Sequence, residues 1–315
     1  MSPRTGTKLR TRVIIDTDIA AGIPERDIDD ALAIVMAANS PSIDLAAVTL
    51  TFGNDSLDNV ETAMKVLAGH MAKALPAAAR GAAGSADRGR ETAATRLMAK
   101  TLENAPATIL TIGPLTNIAS LIELRPDLLD RIETVVAVAG RKPGQLFRTG
   151  AHPRSHPDLN FERDPDAFAT LLASGVPVVL APFEVSSKVF LEEADLDRLA
   201  GNNTPVSAFL ERVGRPWLAF WESTFSTPDV PVKAFNPFDT LAVAWLTDRD
   251  LLQYSRVDLA IEDDDYDLSE TMVQGTGSAR KLYLHARPAG EAAKATYIHD
   301  VSRDDFVGSL LARLF

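Results

Sequence analysis

The chain is 315 residues long, with 46% hydrophobic content, no cysteine and a formal net charge of −11. That length is enough to bury a large α/β core, and the lack of cysteine excludes disulfides, thiol nucleophiles and zinc–thiolate sites. The acidic balance disfavours nucleic-acid backbones and anionic membranes, which require a concentrated basic face, and favours a small neutral or cationic ligand.

From the N-terminus onward, short β-rich runs alternate with helical patterns. Strand "RVIIDTD" leads to helix "DDALAIVMAAN", and strand "IDLAAVTLTFGN" to helix "SLDNVETAMKVLAGH". The alternation continues through "ATILTIG", "LTNIASLIEL", "TVVAVAG", "DPDAFATLLAS" and "PVVLAPF". This order predicts a largely parallel sheet with helices on both faces, and unbroken apolar strands suit a sheet covered on both sides. Loops are expected at 76–91, 140–157 and 201–205, where Gly, Pro and polar residues gather. None is long or biased enough to be an interdomain linker, so residues 1–315 are expected to form a single α/β domain around an open, mostly parallel (mixed) sheet. Beyond Tyr254, acidic-flanked strands finish the sheet and "FVGSLLARLF" supplies a last helix. No apolar run approaches the roughly 18 residues of a membrane span and no leader pattern opens the chain, so the expected address is cytoplasmic.

In open parallel sheets, ligands bind beyond the carboxyl ends of the strands. The first strand ends in Asp16-Thr17-Asp18, the second in Thr51-Phe52-Gly53-Asn54-Asp55, and a third near Ile112-Gly113-Pro114. Asp16, Asp18, Asp27, Asp29 and Asp30 therefore gather between one strand end and the next helix start. One or two of them would serve as helix caps and dipole partners. Five would repel each other unless a cation sat among them, and an all-oxygen set suits a hard ion, Ca²⁺ or Mg²⁺, with Ca²⁺ more tolerant of irregular coordination.

The motifs "IIDTD…DIDDALAI", "TFGN", "IGPLTNIA", "DLNFERDPDA" and "PFDTLAVA", in this order, resemble the inosine–uridine nucleoside hydrolase family of calcium-dependent N-ribohydrolases, from about Val13 to the C-terminal helix. The resemblance implies a Rossmann-like nucleoside hydrolase fold, a nucleoside substrate, bound Ca²⁺ and a homodimer or homotetramer. It makes Asp18 both a calcium ligand and the base that activates the attacking water. Asp30 is a bidentate ligand, Asp239 closes the metal site and Ile112 lends its backbone carbonyl. Asp29 holds a ribose hydroxyl, Asn54 and Asn160 are amide contacts to the sugar, and Asp158 takes the 5′-side. Asp16 stands behind the ligands. His152 falls where the family touches the ribose 5′-hydroxyl, and His156 lies in the same loop. The chemistry agrees: a departing base leaves an oxocarbenium-like ribosyl group that needs a nucleophilic water and a held sugar. Amides can both donate to and accept from hydroxyls.

Three departures from the family stand out. The segment "IAAGIPER" lengthens the turn between Asp18 and Asp29, the 76–91 loop lacks a histidine, and Phe238 precedes Asp239 where many members place a histidine. Purine-specific members resemble this chain in having an aromatic residue before the last ligating Asp and an Asp after the "GN" asparagine. Phe238 and Asp55 thus lead to an expectation of purine ribonucleosides over uridine and cytidine, against the plainer readings of core packing and a helix cap. Trp217, Phe220, Trp221 and Phe225, at helical spacing, read either as core or as nucleobase contacts. Two rival functions remain open. One is a ribose- or nucleoside-binding relative without turnover. The other is a haloacid-dehalogenase-type phosphatase with Asp16 as nucleophile, although Ala20 stands where that motif wants threonine or valine.

Overall fold

The computed structural model describes residues 10–151, 158–264, 281–290 and 295–315. In chain order the first half comprises β1 (Thr11–Thr17), α1 (Asp29–Asn39), β2 (Ile43–Leu50), α2 (Leu57–His70), β3 (Ala79–Arg80), α3 (Ala93–Asn104), β4 (Ala107–Thr111), α4 (Thr116–Leu124) and β5 (Ile132–Ala137). The second half continues with α5 (Leu159–Glu162), α6 (Pro165–Ser174), β6 (Val178–Leu180), α7 (Phe183–Ser186), β7 (Leu191–Glu192), α8 (Glu193–Gly201), α9 (Pro205–Phe225), β8 (Ala234–Phe235), α10 (Thr240–Thr247), β9 (Leu252–Asp264), β10 (Lys281–Pro288), β11 (Ala295–Val301) and α11 (Arg303–Leu311).

The main sheet runs β10-β9-β11-β6-β5-β4-β1-β2-β3. It is parallel from β11 to β3, while β9 runs antiparallel to both β11 and β10. This is the mixed, mostly parallel sheet expected from the alternation. Alternating side chains along β1 feed two cores: Val13 and Ile15 join one face and Ile14 the other, all fully buried. Helices α1, α2, α9, α10 and α11 pack on the first face, and α3, α4 and α6 on the second. Helix α1 is buried from Asp29 to Ala37 because its "ALAIVMA" stretch is apolar all round, as a helix sandwiched between sheet and α10 must be.

From β1 the chain steps outward to β2 and β3, then returns to pair β4 with the other edge of β1. The strand order reverses there, leaving a crevice beyond the carboxyl ends of β1 and β4. One segment departs from the sequence reading. The 76–91 loop contains the edge strand β3 and one tight turn at Ser85–Asp87, held down where Arg88 Nη1 reaches the buried Asp164 at 2.6 Å. The "KLYLHARP" segment, carrying His285 on one of the late strands expected beyond Tyr254, becomes β10 through antiparallel pairing with β9 along its length. Among the described residues, no helix is long and apolar enough to cross a membrane.

Candidate active site

Side chains alternate as β1 ends. Asp16 turns to one face, where Oδ1 accepts from Thr49 Oγ1 at 2.6 Å and Asn117 Nδ2 at 2.9 Å. Thr17 turns to the other, where its hydroxyl donates to Asp30. Asp18 follows, with Oδ2 accepting from the Asn54 backbone N–H at 2.7 Å and Oδ1 buried without a hydrogen-bond partner. Only glycine allows this approach, since a Cβ on Gly53 would stand 1.9 Å from Asp18 Oδ2.

Asp29 and Asp30 open α1, where the helix N-terminus favours negative charge, and α10, packed on α1, brings in Asp239 just before its first turn. The Asn54 side-chain amide donates to Asp27 Oδ1 at 3.1 Å and to Asp30 Oδ2 at 3.4 Å. Carboxylate oxygens of Asp27, Asp29 and Asp30 lie within 4.8 Å of one another, and Asp29 Oδ1 is buried without a partner. Burial pushes Asp18, Asp27, Asp30 and Asp239 well above the usual carboxylate range, and repulsion among the carboxylates pushes them further. Burial also raises Asp29. Among the described residues, no Lys, Arg or His forms an ion pair with Asp18, Asp29, Asp30 or Asp239. An external cation would remove the repulsion and satisfy the orphaned oxygens of Asp18 and Asp29. The all-oxygen donor set fits a hard divalent ion. Ile112, just past β4, donates its N–H to the Asp16 carbonyl at 2.9 Å and so brings its own backbone to the same place.

A cavity of about 170 Å³ opens beside these carboxylates. Asp29, Asn54, Ile112, Asp158, Asn160 and Asp239 line its polar side. Opposite them stand Phe183, Phe238 and one face of α9, where Trp217, Phe220, Trp221 and Phe225 share a side through helical spacing. Trp217 stacks on Phe220 at 5.2 Å between ring centres, and Trp221 lies 6.3 Å from Phe238. At the polar end, Asp158 Oδ2 accepts from the Gly140 N–H at 2.7 Å. Burial pushes Asp158 up to about 7, against the pull of the Arg141 guanidinium and that N–H. Asn160 Nδ2 donates to the Val138 carbonyl at 3.0 Å, which fixes its amide. Arg141 is fully buried behind Phe183, its guanidinium 5.0 Å from the Phe183 ring centre and 4.9 Å from that of Tyr283. The Arg141 charge also acts on Glu184, which accepts from Tyr297 Oη and, at 3.3 Å, from the Lys142 N–H.

The fold thus gathers Asp18, Asp29, Asp30, Asn54, Ile112, Asp158, Asn160, Phe238 and Asp239 around one crevice. Asp55 is not among the cavity-lining residues. Its Oδ1 accepts from Ser56 N and Asn59 Nδ2, both at 2.7 Å, and Oδ2 pairs with Arg26 at 3.3 Å, so the carboxylate serves the start of α2. His152 and His156 lie outside the described residues. His70, His285 and His299 sit on α2, β10 and β11, away from the cavity lining. Asp16 is fully buried and spends Oδ1 on Thr49 and Asn117, on the face of β1 opposite the one from which Thr17 reaches Asp30. Sequence reasoning assigned no role to Asn117, Phe183 or Arg141. A polar residue inside the apolar "PLTNIASL" was the available signal for Asn117, whereas nothing local marks the other two.

A carboxylate cluster at the reversal point of a parallel sheet, next to side-chain amides and an aromatic wall, makes a crevice with one acidic, polar end suited to a divalent ion and one flat, apolar end. The sequence profile of the inosine-uridine preferring nucleoside hydrolase family matches residues 13–308, and the chain belongs to that family. A pyrimidine-specific ribonucleoside hydrolase, RihA of Escherichia coli O139:H28, is 28% identical over 314 residues, covering 91% of this chain and 94% of the relative. Among solved structures, a purine-preferring ribonucleoside hydrolase from Gardnerella vaginalis superposes with a TM-score of 0.75 at 18% identity, covering 96% of this chain and 98% of that one. An inosine-guanosine nucleoside hydrolase gives 0.72 at 20% identity, covering 97% and 99%. These structural likenesses establish the shared fold. The expected purine preference gains nothing from RihA, which is pyrimidine-specific.

Proposed function

We propose that the protein hydrolyses the N-glycosidic bond of ribonucleosides, with Asp18 as the general base and Asp18, Asp30, Asp239 and the Ile112 carbonyl as ligands for Ca²⁺. The observation that carries this reading is Asp18 itself: one carboxylate oxygen is tied to the Asn54 N–H, and the other is buried and unpartnered among further carboxylates. When bound, the ion would supply positive charge that lowers the pKa of a water nucleophile and fixes the vicinal ribose hydroxyls. Asp18 Oδ1 takes the proton of the attacking water. The water oxygen bonds to the anomeric carbon as the carbon–nitrogen bond breaks, and the electron pair leaves with the base, which solvent protonates. Asp29, Asn54, Asp158 and Asn160 hold the sugar. The aromatic wall of α9 with Phe238 receives the base, stacking on its π-face and excluding water. Of the two residues behind the purine expectation, Asp55 lies outside the cavity lining and Phe238 on it, so purine preference rests on stacking at Phe238. His152 is retained as a contact to the 5′-hydroxyl, and the protein is read as a homodimer or homotetramer, on the family resemblance alone.

The test is release of reducing sugar from inosine, adenosine, guanosine, uridine and cytidine, with and without a chelator. Release that stops on chelation and returns with Ca²⁺ is the expected result. Tight nucleoside binding without release would leave a binding protein instead, and release unaffected by chelation would remove the metal from the reading.

A further inference from the structure

The loop between Asp18 and α1 is longer than a tight turn, and the structure shows where its extra length leads. Ile19, Ala20 and Ala21 are buried at its entry. Backbone bonds from Ile23 N to Ala20 O (3.0 Å) and from Arg26 N to Ile23 O (3.2 Å) fold its middle. At its exit, Arg26 pairs with Asp55 while Ile28 is buried in the core next to α9. Asp27 is therefore pinned between two anchored neighbours, and it lines the cavity. The ligand set carried over from the family gives Asp27 no role. Yet the three carboxylates that approach one another within 4.8 Å are Asp27, Asp29 and Asp30, a different group from the expected Asp18, Asp30 and Asp239. The Asn54 amide bridges Asp27 Oδ1 and Asp30 Oδ2. Asp29, a member of this group and 5% exposed, has Oδ1 without a hydrogen-bond partner.

We propose that Asp27, delivered by the lengthened loop, is an additional carboxylate ligand of the cation site. The inference rests on the cation-site reading above. One amide nitrogen shared by two carboxylates does not neutralise three of them, whereas a divalent ion does. An added carboxylate raises the charge and the number of oxygens around the ion. Both changes tighten binding and favour Ca²⁺, which accepts six to eight oxygens, over Mg²⁺, which prefers few carboxylates and several waters.

The test measures Ca²⁺ affinity of the full chain by competition with a chromophoric chelator, together with thermal unfolding in excess chelator. Wild type is compared with Asp27→Asn, Asp27→Glu and Asp30→Asn. The expected result is a loss of roughly tenfold or more in affinity for Asp27→Asn, partial recovery in Asp27→Glu, and an unchanged or higher Tm of the chelated Asp27→Asn protein, because one like charge has gone. Wild-type affinity in Asp27→Asn alongside a loss in Asp30→Asn would overturn the ligand role and leave the site reading intact. A lowered Tm in chelator with unchanged affinity would reduce Asp27 to a holder of Asn54, and equal losses in Asp27→Asn and Asp27→Glu would likewise overturn the proposal. Failure of wild type to take up Ca²⁺ would remove both this inference and the site it rests on.

Discussion

Two buried acidic regions lie within one cavity's reach, and they are compensated in opposite ways. At the crevice beyond β1 and β4, Asp18, Asp29, Asp30 and Asp239 are buried with no cationic side chain ion-paired to them among the described residues. Near the other end, Asp158 and Glu184 are buried around Arg141, with Tyr297 donating to Glu184. One region carries its cation in the sequence, and the other, on the proposed function, takes it from solution. Burying charge is costly unless it is paired, so on the proposed function the difference separates a group that holds substrate from one that holds an ion.

The sharpest way to test the contrast is to disable the crevice without emptying it. Asp18→Asn keeps the shape and the Asn54 contact but removes the base, and turnover should fall by about two to four orders of magnitude while the fold persists by circular dichroism. Near-normal steady-state rates would mean that some other group activates the water. At the second region the expected loss is in stability. Arg141→Met removes the cation beside Asp158 and Glu184, which above pH 7, where Asp158 is ionised, should cost about 3–5 kcal/mol in urea unfolding, by a similar amount with Ca²⁺ or with chelator. A loss confined to the chelated protein would place Arg141 in the ion's region and dissolve the contrast.

A smaller effect is expected from pH. Asp158, pushed up to about 7 by burial despite Arg141 and the Gly140 N–H, faces Arg141, Glu162 and Glu184. Between about pH 4 and 7 it keeps a proton in the folded chain that the unfolded chain has released. The folded state therefore binds more protons, and stability should decline as pH rises through that window. Unfolding free energy measured across pH 4–8 at saturating Ca²⁺ should show the decline in wild type and a flatter profile in Asp158→Asn; identical profiles would contradict the assignment. The smallest effect concerns base choice. Phe238→Ala should lower kcat/KM for purine ribonucleosides by up to about tenfold and for uridine and cytidine by less. Faster cleavage of uridine than of every purine by wild type would discard stacking at Phe238 as the determinant.

Residues next to strand ends were legible in the sequence because the parallel sheet dictates where ligands go. Asp18, Asn54 and Ile112 follow β1, β2 and β4 and reach one crevice for that reason. The helix-start residues Asp29, Asp30 and Asp239 were found through ordered motifs. Asp55 was misleading, since an acidic residue before a helix fits both substrate and cap, and only the Ser56, Asn59 and Arg26 contacts decide between them. Spacing alone could not tell whether the aromatic stripe of α9 faced core or cavity, because Trp221 and Phe225 are buried and also line the cavity. Arg141 and Glu184 were invisible for a different reason: their partners Tyr283 and Tyr297 stand on β10 and β11, more than a hundred residues downstream.

The crevice draws on β1, α1, the β2–α2 turn, β4 and α10, whose contributions span residues 18 to 239. On the proposed ligand set, the β1–α1 unit supplies Asp18, Asp27 and Asp30, but Ile112 and Asp239 come from beyond β4 and before α10, so no local unit completes the site. Long-range closure of this kind is slow relative to local structure. Ion uptake at full affinity during refolding should therefore trail the appearance of helix and sheet, and it becomes a reporter that α10 has packed against α1.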